Sequence, residues 1–154
     1  MKIKFSIVTI TFNSEGTLRD TIESVLIQKY RPLQYIIQDG GSMDTTLCIA
    51  ESYKDKFERE NIELIIASEK DKGISDAFNK GISKADGDII GIINSDDKLC
   101  ESALEIISEN YKKNIDIYSN TGGFGIDGMV STLLGSALAS PDKLFIGVIG
   151  DLAL

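Results

Sequence analysis

Short apolar runs rich in β-branched residues alternate along this chain with amphipathic helical segments, and each run closes on a polar cluster. Lys4–Phe12 reads as a buried strand. Asn13-Ser14 then offers a helix cap, with Glu15 early enough to suit the helix dipole. Leu18, Ile22, Val25 and Leu26 fall on one helical face. Pro32 punctuates, and Leu33–Gln38 forms a second strand ending at Asp39-Gly40-Gly41-Ser42. A helix over Thr45–Phe57 follows, with Leu47, Ala50 and Tyr53 at helical spacing. Ile62–Ala67 is a third strand, then come the polar loop Ser68–Gly73 and a short helix, Ser75–Ala85. The strand Asp88–Ile93 stops at Asn94-Ser95-Asp96-Asp97, ahead of a helix over Glu101–Lys112. Such alternation predicts an α/β fold, a mostly parallel sheet with helices on both faces. In open sheets of that class ligands bind beyond the C-terminal ends of the strands. The clusters Thr11–Asn13, Asp39–Ser42, Glu69–Gly73 and Asn94–Asp97 all fall there.

Composition removes several kinds of chemistry. The absence of His excludes Ser-His-Asp triads, Cys-His dyads and His-containing zinc sites. A net charge of −8 with no basic run lacks the electrostatic footprint of a nucleic-acid binder. Cys48 and Cys100 cannot make a disulfide framework and neither sits in a CxxC. The apolar run after Met1-Lys2-Ile3-Lys4 is too short for a signal peptide, and nothing approaches the roughly 18 apolar residues of a membrane span. A cytoplasmic, reducing setting is the expectation.

Charge is distributed unevenly. Of the 40 charged residues only Asp127, Asp142, Lys143 and Asp151 lie in 119–154, whereas half of the 14 glycines do. The sequence therefore divides near Ile115–Thr121 into a charged first part, 1–118, and a nearly uncharged, glycine-rich second part.

Three elements of the first part carry the chemistry. Asp96 and Asp97 follow the apolar strand Ile89–Ile93 directly. Adjacent carboxylates repel unless something positive lies between them, and Mg²⁺ or Mn²⁺ prefers such oxygen ligands together with substrate phosphates. The alternative is that one aspartate caps the next helix while the other is solvated. Asp39 ends its strand beside two glycines, where a carboxylate can accept from a base or ribose while a ligand nears the backbone; equally, the tetrapeptide is a turn, with Asp44 capping the next helix. The third element runs from Glu69 to Gly81 and places Lys70, Asp71, Lys72 and Gly73 ahead of a helix bearing Asn79 and Lys80. Its lysines either meet a diphosphate or form a solvated charged loop.

In this order, Ser6-Ile7-Val8-Thr9-Ile10-Thr11-Phe12-Asn13, Asp39-Gly40-Gly41-Ser42, Ser68-Glu69-Lys70-Asp71-Lys72-Gly73-Ile74, Asn79-Lys80-Gly81 and Asn94-Ser95-Asp96-Asp97 resemble the donor half of a family 2 glycosyltransferase. The resemblance covers about residues 2–118. It implies a GT-A fold, Rossmann-like, that binds a nucleotide-diphospho-sugar and performs inverting transfer of the sugar to an acceptor hydroxyl. By that analogy the backbone of Thr11, Phe12 and Asn13 and the carboxylate of Asp39 hold base and ribose, and Asp71 and Asn79 line the pocket. Asp96 and Asp97 match the DxD-type metal motif, with Asp97 contacting Mn²⁺ or Mg²⁺ and Asp96 nearer the ribose. Family members often build glycans at the inner membrane face, which implies a glycan or lipid-linked acceptor and a peripheral membrane position. Thr45 stands where the family usually has Gly.

Nothing after Tyr118 resembles the family's acceptor segment or its general-base carboxylate. The sequence thus predicts a donor-binding domain, incomplete at the acceptor side, with transfer impaired by truncation. The other reading of the same fold is a non-catalytic α/β binding module. Residues 119–154 read as a glycine-rich loop, a helix over Met129–Ala139 and a strand over Leu144–Ile149 closing on Gly150-Asp151. This piece resembles part of the cofactor domain of thiamine-diphosphate enzymes, without the downstream Asn that the motif requires. The reading preferred for it is added apolar packing surface, or a disordered and sticky tail.

Overall fold

A computed structural model describes residues 2–111 of the 154. The division expected near 118 and everything expected of 119–154, the thiamine-diphosphate resemblance included, lie outside the described residues. The chain forms two compact units, Met1–Glu105 and Ile106–Leu154, and the sheet belongs to the first.

The elements are β1 (Phe5–Thr11), α1 (Leu18–Leu26), β2 (Leu33–Asp39), α2 (Thr46–Glu51), α3 (Lys54–Arg59), β3 (Ile62–Ser68), α4 (Ile74–Ile82), β4 (Ile89–Asn94) and α5 (Ala103–Tyr111). The four strands are all parallel in the order β3-β2-β1-β4. The expected α/β architecture is the one found. Every residue of β2 is buried and all but Ile10 of β1, as a parallel sheet covered on both faces requires. The outer strands β3 and β4 are only partly buried.

Successive residues of a strand point to opposite faces, so side-chain partners show which helix covers which. Tyr35 meets Phe57 of α3 with ring centroids 5.4 Å apart. One residue along, Ile36 is the register partner of Val8, and Val8 packs on α4, where a Cβ at Gly81 would stand 2.5 Å from Val8 Cγ1. Thus α3 and α4 cover opposite faces, and the absent side chain at Gly81 sets how closely α4 approaches. Each fully buried large apolar side chain in these layers contributes about 1.5–3 kcal/mol.

Two local expectations differ from the structure. Asn13 and Ser14 do not cap α1, which begins at Leu18 after a Thr17 that makes no side-chain cap bond. Asn13 Oδ1 instead accepts from Met43 N at 2.9 Å, and Glu15 Oε2 from Thr45 N at 3.0 Å. These side chains bind a neighbouring loop rather than their own helix. The helix expected over Thr45–Phe57 is two helices. The chain tightens between them, with Ser52 and Tyr53 N–H groups donating three residues back to Ile49 and Ala50 and Ser52 Oγ also donating to Ile49 O at 2.7 Å. That break turns Phe57 toward Tyr35.

The connection from β3 to β4 passes back over β2 and β1, so the strand order reverses between β1 and β4. Open parallel sheets bind ligands at that reversal, outside the C-terminal strand ends.

Candidate functional site

Three loops converge at the C-terminal ends of β1, β2 and β3. Gly40 N donates to Thr11 O at 2.9 Å, Glu69 N to Asp39 O at 3.0 Å, and Asn13 N to Ser42 Oγ at 2.8 Å. Asn13 adopts a φ of 49°, a left-handed conformation that Asn tolerates better than most residues. This lets its amide donate to the Ser42 hydroxyl while its side chain accepts from Met43 N.

Asp39 is the hub of the cluster. Its residue is 1% exposed, and its carboxylate accepts from Gly41 N (3.0 Å), Ser42 N (3.0 Å), Ser42 Oγ (2.5 Å) and Ser68 Oγ (2.6 Å). Three of these bonds fall on Oδ2 and one, from Ser42, on Oδ1, which keeps further acceptor capacity. The carboxylate fixes the Gly40–Ser42 turn and ties it to the end of β3. Asp71 lies against the same turn: a Cβ on Gly40 would stand 2.4 Å from Asp71 Oδ2 and 3.4 Å from Phe12 Cδ2. Glycine at 40 is therefore needed for Asp71 and Phe12 to close on one point. Phe12 is 61% exposed and offers an open aromatic face there. The hydroxyl of Thr11 is buried without a hydrogen-bond partner among the described residues, an unmet demand that in a protein interior costs about 1–3 kcal/mol.

The Glu69–Gly73 loop is held from below. Asp71 Oδ1 accepts from Gly73 N at 2.8 Å, Lys80 Nζ donates to Lys70 O at 2.8 Å, and Lys84 Nζ donates to Gln38 Oε1 at 2.8 Å. Lys72 N donates to Asp76 at 3.0 Å. That bond, with Lys80 beside it, holds the Asp76 carboxyl below its ordinary range. Of the lysines around the loop, Lys80 and Lys84 are committed to this network, while Lys70 and Lys72 are exposed. Asn79 sits exposed on α4, and among the described residues its side chain has no partner.

The loop after β4 reaches the cluster from the other side of the reversal. Ser95 Oγ lies 2.9 Å from Ser14 Oγ. Beyond it the chain is laid along α1, with Lys98 paired to Asp20 at 2.7 Å, Leu99 N donating to Ser24 Oγ at 3.0 Å, and Gln28 Nε2 donating to Cys100 O at 2.8 Å. Asp96 and Asp97 are suspended between these anchors. Asp97 Oδ2 accepts from Asn94 Nδ2 at 3.0 Å. Asp96 is exposed, and among the described residues no lysine or arginine pairs with either aspartate. Neither caps a helix, since α5 starts only at Ala103. Among the described residues no three acidic, cysteine or histidine side chains gather as a ligand cluster. A divalent ion at this point would rest on two carboxylates and on the phosphates of a ligand, the usual manner for Mg²⁺.

The structure thus gathers Thr11, Phe12, Asn13, Asp39 and Asp71, and sets Asp96 and Asp97 across the reversal from them. The residues whose part here was not expected are hydroxyls: Ser42, Thr46 and Ser68, together with Ser14, expected as a helix cap. Thr46 Oγ1 accepts from Ser14 N at 2.7 Å. Their signal in the sequence is a small hydroxyl residue within a few positions of each strand end. A separate groove of about 700 Å³ opens where Arg31 and Glu60 precede β2 and β3, at the opposite end of the strands. Of its cations, Arg31 is engaged by the Gln28, Tyr30 and Glu60 carbonyls, Arg59 by the Asp55 carbonyl, and Lys56 lies over the Tyr53 ring at 4.5 Å. Among the described residues no helix is long and apolar enough to cross a membrane.

Comparison with known proteins gives this geometry a family. The sequence profile described as "Glycosyl transferase family 2" matches residues 6–128, past the boundary at 118. The cholesterol galactosyltransferase of Borreliella burgdorferi is 33% identical over 117 residues, 75% of this chain and 32% of that protein. S. aureus TarS 1–349 in complex with UDP-GlcNAc superposes with a TM-score of 0.65 at 22% identity, covering 80% of this chain and 37% of that one. The mannosyltransferase PcManGT from Pyrobaculum calidifontis, in complex with GDP-Man and Mn²⁺, gives 0.63 at 18% identity, over 75% and 33%. This chain belongs to the family 2 glycosyltransferases, and its fold is GT-A. It spans between 32% and 54% of the length of curated relatives such as these.

Proposed function

We propose that this chain binds a nucleotide-diphospho-sugar at the C-terminal edge of its sheet, with a divalent cation, for inverting transfer of the sugar to an acceptor hydroxyl in glycan biosynthesis. The observation that carries the reading is the convergence of the three organised loops with the unneutralised Asp96–Asp97 pair at the β1/β4 reversal of a family 2 chain. The neighbours bound to UDP-GlcNAc and to GDP-Man with Mn²⁺ support it.

Each group has a part that its chemistry suits. The backbone of Thr11, Phe12 and Asn13 borders the nucleoside, with the open Phe12 ring as an apolar face and the unpaired Thr11 hydroxyl as a free donor or acceptor. Asp39 holds the turn and offers Oδ1 to a base or ribose N–H or O–H. Asp71 and Asn79 line the pocket, Asp96 stands nearer the ribose, and Asp97 is the metal ligand. Mn²⁺ or Mg²⁺, when bound, supplies Lewis-acid neutralisation of the leaving diphosphate. The family's reaction also uses a general base on the acceptor hydroxyl, and no described residue is given that role. A glycan or lipid-linked acceptor, with the protein at the inner membrane face, completes the proposal. A relative named for galactosyl transfer to cholesterol supports a lipid acceptor.

Thermal unfolding of the full chain tests the donor site. UDP or GDP with Mn²⁺ should raise the melting temperature by several degrees, and Asp97→Asn should remove the Mn²⁺-dependent part of that shift. If neither nucleotide moves the transition with metal present, the donor reading is wrong.

A further inference from the structure

The Ser14 and Ser95 hydroxyls are the described side-chain contact between the loop after β1 and the loop after β4, 2.9 Å apart and half-buried, across 81 residues of sequence. The Ser14 hydroxyl also stands 3.3 Å from Phe12 O. With its proton directed there, Ser14 Oγ is left as acceptor, so Ser95 is the donor. The chain Ser95 Oγ–H, Ser14 Oγ–H, Phe12 C=O then connects the residue before the aspartate pair to the backbone that borders the nucleoside. Ser14 does not yield easily. Its N–H is bound to Thr46 Oγ1 at 2.7 Å, and its carbonyl accepts the Thr17 and Leu18 N–H groups that start α1.

On the other side of the pair, Lys98 and Leu99 are fixed to Asp20 and Ser24. Asp96 and Asp97 therefore span two fixed points, Ser95 on Ser14 and the 98–99 segment on α1. Asp97 is also held to Asn94, so release of the first point loosens the placement of the pair, Asp96 above all, without unfolding the loop.

We propose that Ser95, acting through Ser14, is a positioning residue that couples the metal-binding pair to the nucleoside loops, an inference that rests on the donor-site reading above. Occupation of either half of the crevice then favours occupation of the other, and the reciprocity is thermodynamic: the factor by which metal tightens nucleotide is the factor by which nucleotide tightens metal. Neither serine touches ligand in this arrangement. Their part is to hold two ligand-binding loops at one spacing.

Calorimetric titration of the full chain with UDP and with GDP, each with and without Mn²⁺, tests this. In the natural chain Mn²⁺ should tighten the nucleotide that binds. In Ser95→Ala the tightening should shrink about fivefold, the size expected for one neutral hydrogen bond, while the metal-free nucleotide affinity holds and the unliganded chain melts no more than a few degrees lower. Ser95→Thr keeps the hydroxyl and should restore the coupling. Ser14→Ala combined with Ser95→Ala should lose no more coupling than Ser95→Ala alone. Full coupling in Ser95→Ala, or additive losses in the double variant, overturns the clasp and leaves the donor site standing. Absence of binding by both nucleotides in the natural chain overturns the donor site and the clasp with it.

Discussion

The crevice has two sides, and they hold their carboxylates in opposite ways. On the β1–β3 side Asp39 is 1% exposed and accepts four hydrogen bonds from the protein. On the β4 side Asp97 has one such bond, from Asn94, and Asp96 has no partner among the described residues. A carboxylate solvated by protein donors needs no cation and can serve as a scaffold. Two adjacent carboxylates that share a single donor repel, and a positive charge from outside stabilises them. The nucleoside side is therefore organised before any ligand arrives, while the diphosphate side is left electrostatically incomplete.

Substitutions break or sharpen that contrast, and the largest effect falls on the organised side. Asp39→Ala strands several part-buried donors around a buried carboxylate position and should lower unfolding free energy by about 2–4 kcal/mol. The urea midpoint measures it, and a loss under about 1 kcal/mol would mean that the donors re-pair with water. Gly81→Ala forces α4 away from Val8 and should cost about 1–3 kcal/mol. Because α4 carries Lys80 and Lys84 under the Glu69–Gly73 loop, the same variant should weaken nucleotide binding; unchanged binding would separate the loop from its helix.

Acid acts more weakly. The N–H of Lys72 and the Lys80 ammonium hold Asp76 below its ordinary value of 3.8. A folded-state value lower than the unfolded one contributes stability that is present above 3.8 and lost as pH falls through the folded value. The gap in melting temperature between the natural chain and Asp76→Asn should accordingly close on acidification below that point. A gap constant with pH would place the effect in shape rather than charge. The smallest change is expected on the β4 side. Asp96→Asn should alter stability by no more than about 0.5 kcal/mol, with any change upward, because it removes repulsion and no bond. A clear loss would show that Asp96 is not the bare carboxylate described above.

How much of this was readable in advance depended on distance along the chain. The strands were legible because β-branched runs such as Phe5–Thr11 and Ile62–Ser68 carry their signal locally. The reversal between β1 and β4 follows from alternation and the placement of polar clusters, but no single residue announces it. Asn13 and Ser14 read locally as a cap because capping is the commonest local use of those side chains; the long-range partners that engage those side chains, Met43 and Ser95, lie 30 and 81 residues away. Asp39 and Asp97 look alike in sequence, each an aspartate after an apolar strand. What separates them is a hydroxyl from Ser68, brought in by the β2–β3 register that pairs Asp39 with Ser68. Thr45–Phe57 read as one helix since the break at Ser52–Tyr53 contains neither Gly nor Pro.

The strand order also carries an implication for the order of assembly. Phe5 pairs with Leu33 on one side and with Ile89 on the other. The first pairing closes a short loop of chain, the second a much longer one, and the entropy of closure grows with that length. During synthesis the β1–β2–β3 segment and its three loops emerge before β4, and can pair first. The aspartate pair is thus delivered last, into a crevice whose other wall can already stand.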